Sequence, residues 1–226
     1  MDNVQNWRKI NSAYRLVVLR VCSAFRTSSD DAVFVIAGMV LIDLLAREMR
    51  CLYGRRQAGP SGTEADHRRT AKEETHRLWQ RRWDELSKGR WTYKLIPDIR
   101  EWLDRRHGEV NYHLTQFLTG HGGCYRTYLP RIGVDDSPNC YRCRGIPEDP
   151  VYVLFECPRF REERRSLSKA LGIGASSQNL IREMLRSEAN WTSVIHTIVR
   201  IQTQRSTHKK SAKKWRGCTL KTEWSC

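Results

Sequence analysis

The sequence lacks the motifs that most nucleotide-using enzymes need. It contains no glycine-rich loop of the P-loop or dinucleotide-binding type and no G-x-S-x-G nucleophile turn. No two neighbouring aspartates occur in a strand-turn-strand setting, since Asp30-Asp31 and Asp135-Asp136 lie in polar segments typical of helix caps and turns. A two-metal polymerase holds its cations with such carboxylates. The chain therefore lacks a complete nucleotidyl-transfer site.

Long apolar runs are also missing. The longest, at 32–45, contains Gly38 and Asp43 and is shorter than the roughly 20 residues that a membrane-spanning helix needs. The first residues lack the apolar core of a secretory signal. We therefore expect no membrane partner, no secretion and a reducing compartment for the eight cysteines.

Acidic residues are scarce relative to basic ones. Forty Lys and Arg oppose 25 Asp and Glu, which gives a formal net charge of +15. Such an excess favours a polyanionic partner, and nucleic acid is expected before a membrane surface because no lipid-binding pattern accompanies it. A basic surface that only maintains solubility, or that serves the assembly of a structural or interaction protein, is the alternative.

Patterns typical of β-strands are almost absent, and apolar residues recur at helical spacing. The sequence therefore predicts an all-α fold. A Gly-Pro-Ser-Gly segment at 59–62 predicts a linker. The predicted domains are 1–58, a linker at 59–65, a region at 66–204 and a disordered basic tail at 205–226. The predicted helices are 4–25, 32–49 with a break near Gly38, 64–86, 97–106, 111–120, 159–171, 178–186 and 190–204.

Three cysteines have the spacing of a zinc site with one ligand replaced. Cys140, Cys143 and Cys157 follow the pattern C-x2-C-x8-H-x4-C, but Tyr152 occupies the histidine position. Tyrosine is a poor zinc ligand at neutral pH because its phenol titrates near 10. Three interpretations remain open: one zinc ion held by three thiolates and a substitute ligand, a degenerate site without metal, or small buried cysteines. The candidate substitutes are His121, Cys124, Glu148, Asp149 and a water molecule.

Other residues allow competing interpretations. His107-Gly-Glu109 upstream of Cys140 and Cys143 resembles the H-x-E and P-C-x-x-C pattern of zinc nucleobase deaminases, but Pro138 lies one residue too early. His121 is either a ligand or nucleic-acid contact, or part of a helix C-cap turn. Five tryptophans either stack on bases or, as their helical spacing favours, fill the core: Trp79, Trp83, Trp91, Trp102 and Trp191.

An ordered series of motifs resembles the region downstream of the polymerase palm in non-LTR retrotransposon Pol polyproteins, and most of all the arthropod type-1 elements that insert into ribosomal RNA genes. The likeness extends to about residue 204. The motifs are Tyr14 to Ser28, Asp31 to Gly38, Ile42 to Ala46, Trp79 to Asp84, Gly89 to Thr92, Leu114 to Gly122 and Cys140 to Phe160.

The resemblance implies a fragment of a reverse transcriptase and endonuclease that acts in target-primed reverse transcription. Residues 1–58 would be thumb-like helices, and 66–204 a nucleic-acid-binding region with a zinc knuckle at 140–157. Partners would be element RNA, target DNA and the remainder of Pol, in the nucleus after cytoplasmic synthesis. Magnesium would belong to the missing polymerase and nuclease domains, so this fragment would bind rather than catalyse.

Basic residues are the predicted nucleic-acid contacts, because Arg and Lys neutralise phosphates. No catalytic residue is predicted. The predicted contacts are Arg81, Arg82, Arg90, Arg126, Arg142, Arg144, Lys209, Lys210, Lys213 and Lys214.

Overall fold

The computed structural model describes residues 2–57, 62–123, 125–143 and 145–212, and these ranges are predominantly helical. They contain no β-strand, only an isolated bridge between Asn139 and Pro147. The predicted all-α fold is confirmed. The α-helices are α1 (Asp2–Val21), α2 (Asp30–Ala37), α3 (Ile42–Gln57), α4 (Glu64–Glu85), α5 (Arg90–Leu95), α6 (Ile99–Leu103), α7 (Tyr112–Thr119), α8 (Arg161–Leu171), α9 (Leu180–Arg186) and α10 (Glu188–Ala212).

Helix α2 is the most apolar of the early helices, and its residues Ala32 to Ile36 are all buried. It ends at Gly38, whose left-handed φ of 67° lets the chain turn sharply after the helix. The break predicted near Gly38 is therefore confirmed.

Helices α4 to α6 place the indole rings in the interior. Trp79 and Trp83 are buried, and the Trp83 Nε1 donates to the Ile96 carbonyl oxygen at 2.8 Å. Trp102, on α6, donates to the Ile36 carbonyl oxygen at 3.3 Å. The core interpretation is confirmed for these rings and for Trp191, which is 4% exposed. Trp91 is half-buried and donates to the Phe117 carbonyl oxygen at 2.7 Å.

The helix predicted at 97–106 is shorter than expected. Helix α6 begins after Asp98, whose carboxylate accepts from the backbone amides of Arg100 and Glu101. This side-chain cap, rather than Pro97 in the first turn, starts the helix. It ends at Leu103, before the positive φ of Gly108.

Helix α7 lies at the centre of the molecule, with Leu114 to Thr119 all buried. Its polar side chains satisfy backbone groups of the turn that follows α1. The Thr115 hydroxyl donates to the Cys22 carbonyl oxygen, and the Gln116 amide donates to that of Ser23 at 3.2 Å. From α5, the Thr92 hydroxyl donates to the Leu118 carbonyl oxygen at 2.9 Å. Helix α7 thus connects the first helices to the later ones.

Helix α10 packs against α7, α8 and α9 and is longer than predicted. It continues past residue 204 to Ala212. Arg205, which the sequence assigned to the tail, is buried and pairs with the buried carboxylate of Glu148. The remainder of the predicted tail, 213–226, lies outside the described residues.

One continuous core contains residues from both sides of the predicted linker, from Val18 and Phe34 to Trp79 and Ile201. Helix α3 also packs against α4 across that linker. Residues 58–61 lie outside the described residues. The division into two regions stays a prediction.

Candidate functional site

Two short segments form the Cys knuckle, residues 140–157. In the first, the Cys140 amide donates to the Ile146 carbonyl oxygen at 2.8 Å, and the Glu148 amide donates to that of Pro138 at 2.9 Å. These bonds close a tight loop around Cys143. The loop turns both thiols of the C-x2-C pair toward the same side, as a metal-binding turn requires.

Cys157 returns the chain to this loop at the end of a helical turn, Tyr152–Glu156. The Asp149 carboxylate starts the turn by accepting from the Tyr152 amide at 2.8 Å, and the Cys157 amide ends it by donating to the Tyr152 carbonyl oxygen at 2.7 Å. Arg164 of α8 donates to the Cys157 carbonyl oxygen at 2.8 Å. The knuckle is thereby fixed to α8.

The three cysteine sulfurs lie within 4.8 Å of one another. Cys140 and Cys157 are buried, and Cys143 is half-buried. Within the described ranges, no other group of three or more His, Cys, Asp or Glu side chains comes as close together. The predicted convergence of the cysteines is confirmed, and the cluster could hold a metal ion.

Tyr152 lies beside this cluster in the position that the pattern assigns to histidine. Its side chain is buried, and its hydroxyl has no hydrogen-bond partner in the described part of the chain. Burial, followed by the neighbouring Cys143 thiol, raises the pKa of Tyr152 above its ordinary value. Burial likewise raises the pKa of Cys157 to about 11. Without a metal, both groups are therefore neutral at physiological pH.

None of the described substitutes joins the three thiols. His121 is 3.1 Å from the Ser28 hydroxyl through its Nδ1, and its ring packs on Tyr128. Glu148 is paired with Arg205, and Asp149 accepts from the Tyr152 amide. Cys124 lies outside the described residues. The described residues supply three ligands and do not fit a four-coordinate zinc ion.

His107 lies away from the thiols and near α9. Its Nε2 is 3.4 Å from the Met184 carbonyl oxygen, and its ring meets Trp191 edge to face. Gly108 lies directly against the Trp191 ring. The H-x-E segment therefore makes a packing contact and supplies no ligand to the cysteine cluster, so nothing in the geometry favours a deaminase.

Three predicted nucleic-acid contacts are engaged within the protein. Arg82 forms ion pairs with Asp31 at 3.0 Å and Asp43 at 3.1 Å. Arg90 donates to the Asp84 and Leu86 carbonyl oxygens and covers the Tyr93 ring. Arg126 forms an ion pair with Asp135 at 3.0 Å. These side chains fix helix ends and loops.

Arg81 and Arg142 are exposed and form none of the ion pairs between described residues. They keep their full charge available for a partner. Arg144, Lys213 and Lys214, and the side chains of Lys209 and Lys210, lie outside the described residues. For all ten predicted residues, including Arg82, Arg90 and Arg126, contact with nucleic acid stays a prediction.

Tyr141 is a feature of the knuckle that the sequence reading missed. Its ring is 41% exposed between Cys140 and Arg142, and the Arg126 and Arg159 guanidiniums lie 5.2 Å and 5.9 Å from its centroid. An aromatic residue inside a C-x2-C turn was the available signal. An exposed ring beside guanidinium groups is suited to stacking on a base.

Comparison with known proteins confirms the predicted resemblance. The chain is 26% identical over 173 residues to a retrovirus-related Pol polyprotein from type-1 retrotransposable element R1 4 of Nasonia vitripennis, which covers 71% of this chain and 43% of the relative. It is 28% identical over 170 residues to the R1 Pol polyprotein of Bradysia coprophila, covering 69% and 16%. A putative 115 kDa protein in type-1 retrotransposable element R1DM of Drosophila melanogaster is 29% identical over 198 residues, covering 80% and 19%.

The chain spans less than half the length of these curated relatives. No family model and no solved structure matches it. Among the helices described, none is both long and apolar enough to cross a membrane. The similarity therefore identifies the chain as related to one part of a type-1 retrotransposon Pol polyprotein.

Proposed function

We propose that this chain is a C-terminal, nucleic-acid-binding part of a non-LTR retrotransposon Pol polyprotein, and that it binds RNA and DNA without catalysing a reaction itself. The full protein would be an RNA-directed DNA polymerase with an endonuclease that acts in the nucleus by target-primed reverse transcription, and its magnesium ions would lie in those other domains. The net charge of +15 is the observation that carries the binding role.

Binding would arise mainly from phosphate neutralisation. Each Arg or Lys that pairs with a phosphate releases condensed counterions, so the free energy of binding comes largely from salt release. Arg81 on α4 and Arg142 in the Cys knuckle are suited to this role because they are exposed and outside the ion pairs of the described residues. The exposed ring of Tyr141 could add sequence-tolerant stacking on an unpaired base.

Replacement of single arginines tests this division of roles. Binding of a fluorescent single-stranded RNA would be measured by anisotropy at several salt concentrations for Arg81→Gln and Arg142→Gln. Each change should weaken binding and reduce the slope of log K against log salt by about 0.7, the value for one phosphate contact on a single strand. The control is Arg77→Gln, because Arg77 already forms a two-bond pair with Glu74 at 2.7 Å. Equal slopes in all variants would contradict the assignment.

The first half of α1 is proposed as the contact with the rest of the polyprotein. Residues 5–13 are exposed, and the apolar side chains of Trp7 and Ile10 among them are 39% and 49% exposed. The longer relatives have additional chain that could cover this surface. Ile10→Glu should leave the stability of this chain unchanged but abolish its association with a separately produced polymerase segment. Association that survives the change would place the contact elsewhere.

A zinc ion is one of the three interpretations of the cysteine pattern, and three thiols without a fourth ligand are expected to bind it weakly. No step of the proposed nucleic-acid binding depends on a metal. The Cys knuckle contributes by holding Tyr141 and Arg142 in a loop fixed to α8.

A further inference from the structure

The Cys knuckle has an unusual ligand set for a zinc site. Three sulfurs converge within 4.8 Å, and Tyr152 lies beside all three of them. The Tyr152 side chain is only 6% exposed, and its hydroxyl oxygen is closed off from solvent.

We propose that Cys140, Cys143 and Cys157 form a three-coordinate site for monovalent copper, and that Tyr152 occupies the position that zinc would need for a fourth ligand. Thiolates bind both monovalent copper and zinc, but structural zinc takes four ligands whereas monovalent copper is satisfied by three. The selectivity follows from the number of ligands, because the histidine position of the zinc pattern holds a buried phenol instead of an imidazole.

The charge around the knuckle supports an anionic copper-thiolate cluster. Each thiol that binds the ion releases a proton to solvent, so a site with three thiolates and one monovalent ion carries negative charge. Three arginines lie near the ligands in the chain. Arg142 is between Cys140 and Cys143, Arg159 is two residues after Cys157 and 3.9 Å from Glu148, and Arg164 donates to the Cys157 carbonyl oxygen. These cations offset the charge that the ligand set creates.

The test uses the full chain, reduced and kept without oxygen, with Cys51, Cys218 and Cys226 replaced by serine to remove three of the five cysteines outside the cluster. Monovalent copper would be titrated against a bicinchoninate competitor and zinc against a chromophoric chelator. The variants are Tyr152→His, Tyr152→Phe and Cys143→Ser, and circular dichroism checks that each is folded. X-ray absorption gives the number of sulfurs bound to copper.

The chain should bind one equivalent of monovalent copper through three sulfurs, and Tyr152→Phe should retain that affinity because the phenol is not a ligand. Tyr152→His should raise zinc affinity more than about 100-fold, since even groups that only support a ligand are worth about 10- to 100-fold. Cys143→Ser should lose three-sulfur coordination. These results would separate a copper site from a damaged zinc site.

Two results would overturn the proposal. The first is zinc affinity in the unmodified cluster equal to that of Tyr152→His. If Cys124→Ser then abolished it, Cys124 would be the fourth ligand. The second is copper bound equally well by Cys143→Ser, which would show binding outside the cluster. Neither result bears on nucleic-acid binding, which anisotropy measures independently.

Discussion

The interior around α7 and the first half of α1 differ in how much of their apolar side chains is exposed to solvent. Six consecutive residues of α7, Leu114 to Thr119, are buried, and the Thr115 hydroxyl and the Gln116 amide nitrogen bond to neighbouring backbone. Residues 5–13 of α1 are exposed although Trp7 and Ile10 are among them. The residues of α7 are therefore covered by the rest of the described chain. The first half of α1, in contrast, exposes apolar surface that another chain segment could cover.

The contrast shows which parts of the chain are already packed against other residues and which are exposed to solvent. Around α7, a change in one side chain disturbs several neighbours, because close-packed interiors transmit small changes in volume. On the first half of α1, an equivalent change meets solvent. The same substitution should therefore change the free energy of unfolding much more at a buried position than at an exposed one.

The largest difference is expected between two glycine replacements. At Gly108, an added Cβ would lie 2.2 Å from Trp191 ring carbons, and φ is 84°. Overpacking together with a left-handed backbone should make Gly108→Ala cost about 4 kcal/mol. In contrast, Gly54→Ala in α3 meets no atom within 4 Å and should stabilise by about 0.5–1 kcal/mol. Denaturant unfolding measures both. Similar values for the two variants would mean that Gly108 does not pack against Trp191.

The next difference concerns two carboxylates. Glu148 is fully buried against Arg205, with Arg159 at 3.9 Å. Glu148→Gln removes one carboxylate charge from the buried pair with Arg205 and should cost about 3 kcal/mol. Glu162→Gln removes the exposed pair with Arg165 and should cost less than about 0.5 kcal/mol. Urea titration of both proteins checks this. A small cost at Glu148 would show that the pair does not hold the end of α10.

A smaller difference should appear when one methyl group is removed. Ile198 on α10 is 2% exposed, whereas Ile10 on α1 is 49% exposed. Ile198→Val should destabilise by about 1 kcal/mol, the usual cost of deleting one buried methylene. Ile10→Val should change stability by less than about 0.3 kcal/mol in this chain, as is usual for exposed positions. Comparable losses at both positions would indicate that α1 is covered, for example by a second copy.

The smallest expected effect is a dependence on pH. Burial, followed by the charge of Arg131, lowers the pKa of His121 below its ordinary value of about 6.5. The unfolded state then binds the proton more readily than the folded state, so stability is lost as pH falls below about 6.5. Denaturation midpoints between pH 7.5 and 5 should fall less in His121→Gln. The exposed His196→Gln is the control, and an identical pH dependence in both variants would exclude His121 as a source.

Sequence reading anticipates features that depend on neighbours along the chain. The break at Gly38, the helix at 64–86 and the meeting of Cys140, Cys143 and Cys157 all follow from local spacing and are confirmed. Each depends on backbone geometry within a few turns, which periodicity and turn residues encode. The type of fold is predictable for the same reason.

Contacts between distant segments are harder to predict. Nothing near Glu148 in the sequence indicates that it forms an ion pair with Arg205. The sequence also does not indicate that α10 continues past residue 204. Likewise, nothing in the sequence indicates that Arg82 and Arg126, two predicted nucleic-acid contacts, pair with Asp31 and Asp135. Charge in a sequence shows how many cations exist, but only the fold shows which of them acidic groups already neutralise.

The measurement that tests the account most directly is the salt dependence of binding to single-stranded RNA by the unmodified chain. The account predicts a steep linear fall of log K with log salt, with a slope of about −0.7 for every phosphate contacted, and a similar fall for single-stranded DNA. If affinity stayed nearly constant between low and physiological salt, or if nuclease-treated protein bound neither polymer, nucleic-acid binding by phosphate neutralisation would be contradicted.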